Sequence, residues 1–219
     1  MKKHITLFLC LFAITATSVA PIMGAEFNSK PIAGITEDMY SIIDNATDYA
    51  QLQQDKIEEA QQKIDSVDRN NTIEWFKNYR AIQNEYSEWI DADETIYDYF
   101  NADELELFFK IVETEVRGEE NFNEKVNVAN VIFNRIKHED FPVDLTEVLT
   151  EYPQFSSYLT GAYKNIEVTE TTRLACEYAF QFSDTTYGAL YFDSTNGHSW
   201  ADRNREYIFT DAVGHSFYR

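Results

Sequence analysis

The sequence predicts an α+β protein in which a series of helices leads to a small antiparallel β-sheet, with an α-helical hairpin ahead of both. Two observations predict this fold class. Apolar residues recur every three or four positions over most of residues 37–182, which indicates amphipathic helices. Beyond them, short runs rich in aromatic and β-branched residues are separated by glycine, which is typical of strands joined by tight turns. Helices followed by strands favour an α+β domain.

The composition limits the classes of function. The chain has 219 residues, of which 44% are apolar and 26% charged, as in an ordinary globular protein. It carries 38 acidic and 18 basic residues, a formal net charge of −20. Such a balance argues against nucleic acid or an anionic membrane surface as a partner, because phosphate groups are bound by basic patches. The aromatic fraction of 15% suits core packing, and it also suits a sugar-binding cleft.

The N-terminus predicts export. Residues 1–25 read as a secretory signal peptide, with Lys2 and Lys3 ahead of an apolar run over 5–20. Cleavage is expected after Ala25, or else after Ala20, and an uncleaved membrane anchor is the alternative. Removal of the leader, with its Cys10, leaves one cysteine and no disulfide, which favours a Gram-positive bacterium. We therefore expect a secreted or cell-wall-associated protein.

The residues that follow predict an extension ahead of the main domain. Residues 26–36 read as an extended linker, and residues 37–90 read as a helical hairpin or coiled coil interrupted by a polar break. This hairpin is expected to pack on the next domain, and docking to the cell wall or to a protein partner is the alternative. The composition changes near Asp91, so 91–219 is predicted to be a domain that folds without residues 26–90.

Local signals place the elements of this domain. Asn101 and Glu104 form a capping box at the start of its first helix, and Gly118 can end that helix. Gly214 provides the turn of a C-terminal hairpin. The predicted elements are, in order, helices over 102–117, 123–138 and 169–182, a strand over 189–192 and a hairpin over 207–218.

Glu115 is the leading candidate for a catalytic group. It lies seven residues beyond Phe108 and three beyond Val112, so it extends the apolar side of its helix. A carboxyl group there is partly desolvated, and in the last turn it faces the negative end of the helix dipole. Both effects raise a carboxyl pKa, which suits a general acid at a glycosidic oxygen. The alternative is a residue at the rim of the face, paired with Arg117 or a lysine.

Other carboxylates are separated by the same geometry. Glu113 lies about 200° around the helix from Glu115, so it is predicted to face solvent and to be a silent control. Glu119 and Asp193 are candidates for a second catalytic carboxylate. Glu119 would share a side with Glu115 if the helix continued past Gly118, and Asp193 follows the predicted strand, where it could face a cleft.

Several other kinds of site are absent from the sequence. The four histidines do not have the spacing of a zinc protease, and no glycine-rich phosphate loop or Gly-x-Ser-x-Gly turn occurs. Cys176 lies in an apolar helical pattern, which indicates packing rather than nucleophilic chemistry. We expect neither a metal ion nor a cofactor.

A set of ordered motifs resembles a known family. Glu115-Val116-Arg117-Gly118-Glu119 is similar to the Glu-Ala-Arg-Gly-Glu motif of the spore cortex-lytic cell wall hydrolases of the SleB type. The likeness extends over residues 104–219, with matching order and about one extra residue near 121–124. Its further pieces are 126–135, Phe141-Pro142, Gln154-Phe155-Ser156, 188–192, Trp200 and 214–218.

The resemblance implies a lysozyme- or transglycosylase-like domain that acts on peptidoglycan, with Glu115 as the catalytic acid. The expected reaction is cleavage of the MurNAc–GlcNAc β-1,4 bond, by a lytic transglycosylase mechanism that needs one glutamate or by hydrolysis with a second carboxylate. The residues expected to bind the glycan are Gln154, Phe155, Ser156, Tyr191 and Trp200. For Phe155, packing in the core is an equal alternative.

The sequence also departs from the family. Val116 replaces the motif alanine, and Asp193-Ser194 stands where relatives often have Asn-Pro. Residues 37–90 do not resemble the peptidoglycan-binding repeat of some relatives. The substrate can therefore be the vegetative cell wall as well as the spore cortex. The alternative from another class is a noncatalytic wall-binding or scaffold protein that uses the helical hairpin.

Overall fold

The computed structural model describes residues 37–151, 155–194 and 198–219. The predicted signal peptide, the predicted linker and Gln154 lie outside these residues. The described part is mainly helical and ends in a three-stranded antiparallel sheet, so the predicted α+β class is confirmed. None of its helices is both long enough and apolar enough to cross a membrane.

The first helix, α1, spans Glu37–Ser66, and its residues are divided after Leu52 between two units of the chain. In the first unit, the side chains that the structure describes between residues 41 and 50 are all exposed. In the second unit, the rest of α1 packs on α2, Thr72–Glu85, through Ala60, Ile82 and Tyr86. An ion pair of 2.7 Å joins Lys63 and Glu85. The predicted helical hairpin is therefore present.

Helix α2 belongs to the core of the main domain. Phe76 is fully buried there, and its ring meets that of Tyr178 edge-on, with the centroids 5.4 Å apart. Trp75 lies against Phe182 on the same side, and Arg80 forms an ion pair with the buried Glu177. The boundary predicted near Asp91 therefore does not separate two cores, because the apolar face of α2 is covered by the domain that follows.

Three longer helices form the body of that domain. They are α4, Ala102–Glu115; α5, Phe122–Lys137; and α8, Glu170–Gln181. Short elements complete the set in chain order: α3, Ile96–Tyr99; α6, Leu145–Thr150; α7, Ser156–Leu159; and a 3-10 turn, Ala162–Asn165. The Asn101–Glu104 capping box is formed as predicted. Helix α4 contacts α5, α6, α7, α8 and the 3-10 turn, so it is covered on most sides.

The end of α4 differs from its prediction by two residues. The helix stops at Glu115, and Val116 is extended with φ −131° and ψ 104°. Gly118 then has φ +97°, in the left-handed region that glycine adopts most readily. This turn leads the chain away from α4 directly after Glu115.

The sheet lies at the C-terminal end of the chain. Its strands are β1, Tyr191–Asp193; β2, Tyr207–Thr210; and β3, Ser216–Tyr218, with β3 in the centre. A short helix, α9, Trp200–Asn204, precedes β2. Gly214, with φ +93°, lies between β2 and β3, as the predicted hairpin requires. Phe209 and Phe217 stack with their ring centroids 4.6 Å apart and anchor this hairpin.

Candidate active site

Glu115 is the last residue of α4 and is half-buried. Ser157 of α7 donates a hydrogen bond from its hydroxyl to Oε1 of Glu115, at 2.6 Å. The described part of the chain offers no further hydrogen bond to this carboxyl group. One carboxyl oxygen is thus oriented by a hydroxyl, and the other has the freedom to exchange a proton with a bound molecule.

Sequence reasoning missed Ser157. It favoured the neighbouring Ser156, whose side chain the structure leaves exposed, while Ser157 is 5% exposed and reaches Glu115. The two serines follow Phe155 at the start of a four-residue helix. A single helical step of about 100° separates their directions, and no periodic pattern in so short a helix shows which one faces inward.

The structure contradicts the prediction that Glu113 faces solvent. Its side chain is 4% exposed, and Lys125 of α5, with 0% of its side chain exposed, donates to Oε1 at 3.1 Å. Thr169 donates to Oε2 through its backbone N–H at 3.0 Å and its hydroxyl at 2.7 Å, and the Thr172 hydroxyl donates to the same oxygen. Helix α4 is covered by α5 and α8 on this side. Helix α4 is therefore buried on the side of Glu113 as well as on the side of Phe108.

This network also decides the charge of Glu113. Burial raises the pKa of its carboxyl group, but the hydrogen bonds from Thr172, Thr169 and Lys125 lower it and together outweigh the burial. Glu113 therefore stays ionised, and it neutralises Lys125 inside the protein.

Arg135 is a second group that sequence reasoning did not single out. It lies near the end of α5, is 3% exposed, and donates from Nε to the carbonyl of Leu190 at 2.8 Å. Its guanidinium carbon lies 5.1 Å from the ring centroid of Phe155 and 5.8 Å from that of Tyr191. Burial lowers the pKa of Arg135 to about 10, while Tyr191 and Glu115 act to raise it. A buried cation thus lies within electrostatic reach of Glu115.

The aromatic residues predicted for the cleft divide into two groups. Phe155 is 2% exposed, and its ring centroid lies 6.3 Å from that of Phe192. This burial favours the packing alternative for Phe155. Tyr191 is half-buried and Trp200 is 53% exposed, with their ring centroids 5.8 Å apart. These two rings form a surface at the junction of β1 and α9.

The two candidates for a second carboxylate have different settings. Glu119 is exposed and follows Gly118, after the helix has ended, so it does not continue the face of Glu115. Asp193 is half-buried at the end of β1, opposite Ser216 in the sheet register. The adjacent Phe192 packs on Phe155, which is two residues from Ser157.

Cys176 is fully buried in α8, in agreement with the packing role that its sequence context predicted. Burial raises the pKa of its thiol well above the usual value. In the described ranges, no group of three or more histidine, cysteine, aspartate or glutamate side chains is arranged to hold a metal ion.

Comparison with known proteins relates the C-terminal part of the chain to one family. Residues 119–218 match the model of a family described as Cell Wall Hydrolase, a match that begins four residues after Glu115. Residues 119–218 therefore resemble the cell wall hydrolases, as the motifs of the sequence indicated, and this likeness supports a glycan-cleaving enzyme. No curated protein matches the chain.

Two solved structures of SleB proteins are similar to the chain. One is the catalytic domain of the germination-specific lytic transglycosylase SleB from Bacillus anthracis, with 25% identity and a TM-score of 0.49; the match covers 56% of this chain and 98% of that one. The other is the catalytic domain of the Bacillus cereus SleB protein, with 26% identity and a TM-score of 0.48; here the match covers 55% and 92%.

Proposed function

We propose that this cell wall hydrolase cleaves the MurNAc–GlcNAc β-1,4 bond of peptidoglycan, with Glu115 as the catalytic acid. The observation that carries the proposal is the hydrogen bond from the Ser157 hydroxyl to Oε1 of a half-buried glutamate at the end of a helix. This bond orients the carboxyl group and leaves Oε2 to face a glycosidic oxygen. A positioned carboxylic acid is the group that such a leaving oxygen needs.

The same carboxyl group can serve in both halves of a lytic transglycosylase reaction. In the first half, Glu115 gives its proton to the glycosidic oxygen, and the bond between this oxygen and C1 of MurNAc breaks. In the second half, the Glu115 carboxylate takes the proton of the C6 hydroxyl, whose oxygen bonds to C1. The product is a 1,6-anhydro end, and Glu115 regains the proton with which it began.

Direct hydrolysis is the alternative chemistry, and it needs a second carboxylate to form a covalent bond with C1 or to activate water. Asp193 is the better candidate, because its neighbour Phe192 packs on the residue that leads into α7. Glu119 is the second candidate. Water then replaces the C6 hydroxyl, and the product has a reducing end.

We propose that Tyr191 and Trp200 bind the glycan by stacking on sugar rings. Both rings have exposed area, and Trp200 is 53% exposed beside Tyr191. An aromatic ring with exposed area offers an apolar face on which a sugar ring can pack. Gln154 and Ser156 remain predicted glycan contacts. The predicted signal peptide would bring the enzyme to its substrate outside the cell.

The test is the analysis of products released from purified sacculi by the mature protein. Mass spectrometry is expected to find soluble muropeptides with 1,6-anhydro ends, and Glu115→Gln is expected to release almost none. If the products instead have reducing MurNAc ends, the reaction is hydrolysis and not lytic transglycosylation. A protein that binds sacculi but releases nothing would be a noncatalytic wall-binding or scaffold protein, which would refute the proposal.

A further inference from the structure

Arg205 is an exposed cation at the edge of the aromatic surface formed by Tyr191 and Trp200. Its guanidinium carbon lies 4.6 Å from the ring centroid of Trp200 and 4.8 Å from that of Tyr191. Nη2 donates a hydrogen bond to the Tyr191 hydroxyl at 3.2 Å. Nη1 donates a longer hydrogen bond to the carbonyl of Asn204 at 3.4 Å. Three of the five guanidinium N–H groups therefore have no hydrogen-bond partner among the described residues.

Arg205 is not paired with a carboxylate in the described part of the chain. In a chain with 38 acidic and 18 basic residues, no carboxylate of the described residues lies within 4.0 Å of its guanidinium nitrogens. Nearby arginines are engaged differently. Arg219 pairs with Glu206 at 3.0 Å, and Arg203 donates to the carbonyl of His198 at 3.2 Å.

A second cation approaches the same ring. Arg135 lies 5.8 Å from the centroid of Tyr191, and its Nη1 is buried without a hydrogen-bond partner among the described residues. Tyr191 therefore has guanidinium groups of both Arg135 and Arg205 near it.

We propose that Arg205 binds a carboxylate of the glycan strand and makes the enzyme prefer strands that carry one. This inference rests on the proposed function. A planar guanidinium group held by aromatic rings can bind a carboxylate through two parallel N–H groups. Muramyl residues offer two sources of this group: the lactyl side chain itself when it is free, and the stem peptide when one is attached.

The experiment measures kcat/KM of the full mature chain on three soluble glycan strands. The first has free lactyl carboxylates, the second has intact stem peptides, and the third has lactyl groups amidated to a neutral form. The readout is the ratio of each charged strand to the neutral strand at about 150 mM salt, where the repulsion by the net charge is screened beyond about 8 Å. We expect a ratio of roughly ten for wild type, as for one charge-assisted hydrogen-bonded contact, and roughly one for Arg205→Gln.

Two further variants control the interpretation. Arg203→Gln removes a cation two residues away in the same segment and is expected to keep the wild-type ratio. Arg205→Lys keeps the charge but loses the planar pair of donors, so it should retain part of the ratio. A ratio that depends on Arg205 only for the first strand assigns the lactyl carboxylate, and one that does so only for the second assigns the stem peptide.

The inference and the proposed function fail in different ways. If wild type cleaves all three strands and its ratio is near one, or if Arg205→Gln keeps the wild-type ratio, the carboxylate assignment is wrong while glycan cleavage stands. If wild type cleaves none of the strands, the proposed function is wrong and the inference falls with it.

Discussion

A carboxyl group on the last residue of a helix, with one oxygen bound to a serine hydroxyl, can be changed with little effect on packing. We expect Glu115→Gln to lower the release of muropeptides by a factor on the order of 10² or more, the usual contribution of a positioned general acid. The melting temperature should change little, because the amide oxygen can still accept the Ser157 hydroxyl.

Glu139→Gln is the matched control for this change. Glu139 is exposed and lies beyond the end of α5, so the same loss of one carboxylate should leave both activity and melting temperature unaltered. Full activity in the Glu115 variant would remove Glu115 from the reaction.

Glu113→Gln is expected to destabilise the fold rather than to be silent. It would leave Lys125 fully buried without its counter-ion, which costs about 3 kcal/mol or more. The double variant Glu113→Gln/Lys125→Met removes both charges and should recover much of the loss. Urea denaturation of the single and double variants measures both effects. A single variant as stable as wild type would mean that the buried pair is not formed in solution.

The same network predicts how stability depends on pH. The folded-state pKa of Glu113 is lowered from its usual value of 4.5, so the folded protein holds the carboxylate form more strongly than the unfolded chain does. The resulting stabilisation is present above the usual pKa and is lost as pH falls through the lowered value. As pH falls below the usual value of 4.5, the free energy of unfolding of wild type should therefore fall more steeply than that of Glu113→Gln/Lys125→Met. Equal slopes would contradict this assignment.

The sequence predicts on which side of a helix a residue lies, but it does not predict which other elements pack on that side. Periodicity placed Glu115 on the Phe108 side of α4, where the structure has it half-buried against Ser157. It gave no sign that α5 and α8 cover the other side, because Lys125 and Thr172 come from separate segments of the chain. For the same reason Ser157, 42 residues from Glu115, and Arg135 were missed.

At the scale of elements, α2 behaves as part of the domain core. A chain truncated to begin at residue 91 loses Phe76 and Arg80, which exposes Tyr178 and Phe182 and leaves Glu177 without its cation. We expect it to be strongly destabilised, at about 3 kcal/mol or more for the lost phenylalanine alone. This replaces the prediction that residues 26–90 are dispensable.

A chain that begins at residue 53 is the matched comparison. It keeps the contacts of Ala60 with Ile82 and Tyr86, and it keeps all of α2. We expect a cooperative thermal transition for this chain, and a dye-binding, poorly cooperative product for the chain that begins at 91. Equal transitions for the two chains would show that α2 adds nothing to the core.

Long elements were predicted well because they carry both periodicity and caps. Helices α4, α5 and α8 and the C-terminal hairpin fall within two residues of their predicted bounds. Helices α6 and α7 and the 3-10 turn are four to six residues long, too short for an apolar period to be visible. The packing of α2 was underestimated for a different reason. The apolar face of an amphipathic helix must be buried, but the sequence pattern does not show which element buries it.

At the scale of the whole molecule, charge opposes the encounter with an anionic wall. The formal charge of −20 repels a polymer that carries carboxylates, and this repulsion acts over about 30 Å at 10 mM salt but only about 8 Å at 150 mM. We expect the initial rate on sacculi to rise about two- to fivefold over this interval. Amidated glycan strands should show a smaller rise. A rate that falls steadily with salt would mean that local cations, not the net charge, govern association.

The buried ion pair of Glu113 and Lys125 fixes the rotation of α4 about its own axis. A helix held only by apolar contacts can rotate or shift by one residue at modest cost in free energy, because each apolar contact is replaced by a similar one. Here a slip of one residue would turn every side chain by about 100° and pull a carboxylate away from an ammonium group that has no water to replace it. Two residues further on, Glu115 turns with the same backbone. The ion pair on the opposite side of α4 therefore fixes the direction in which the Glu115 side chain points.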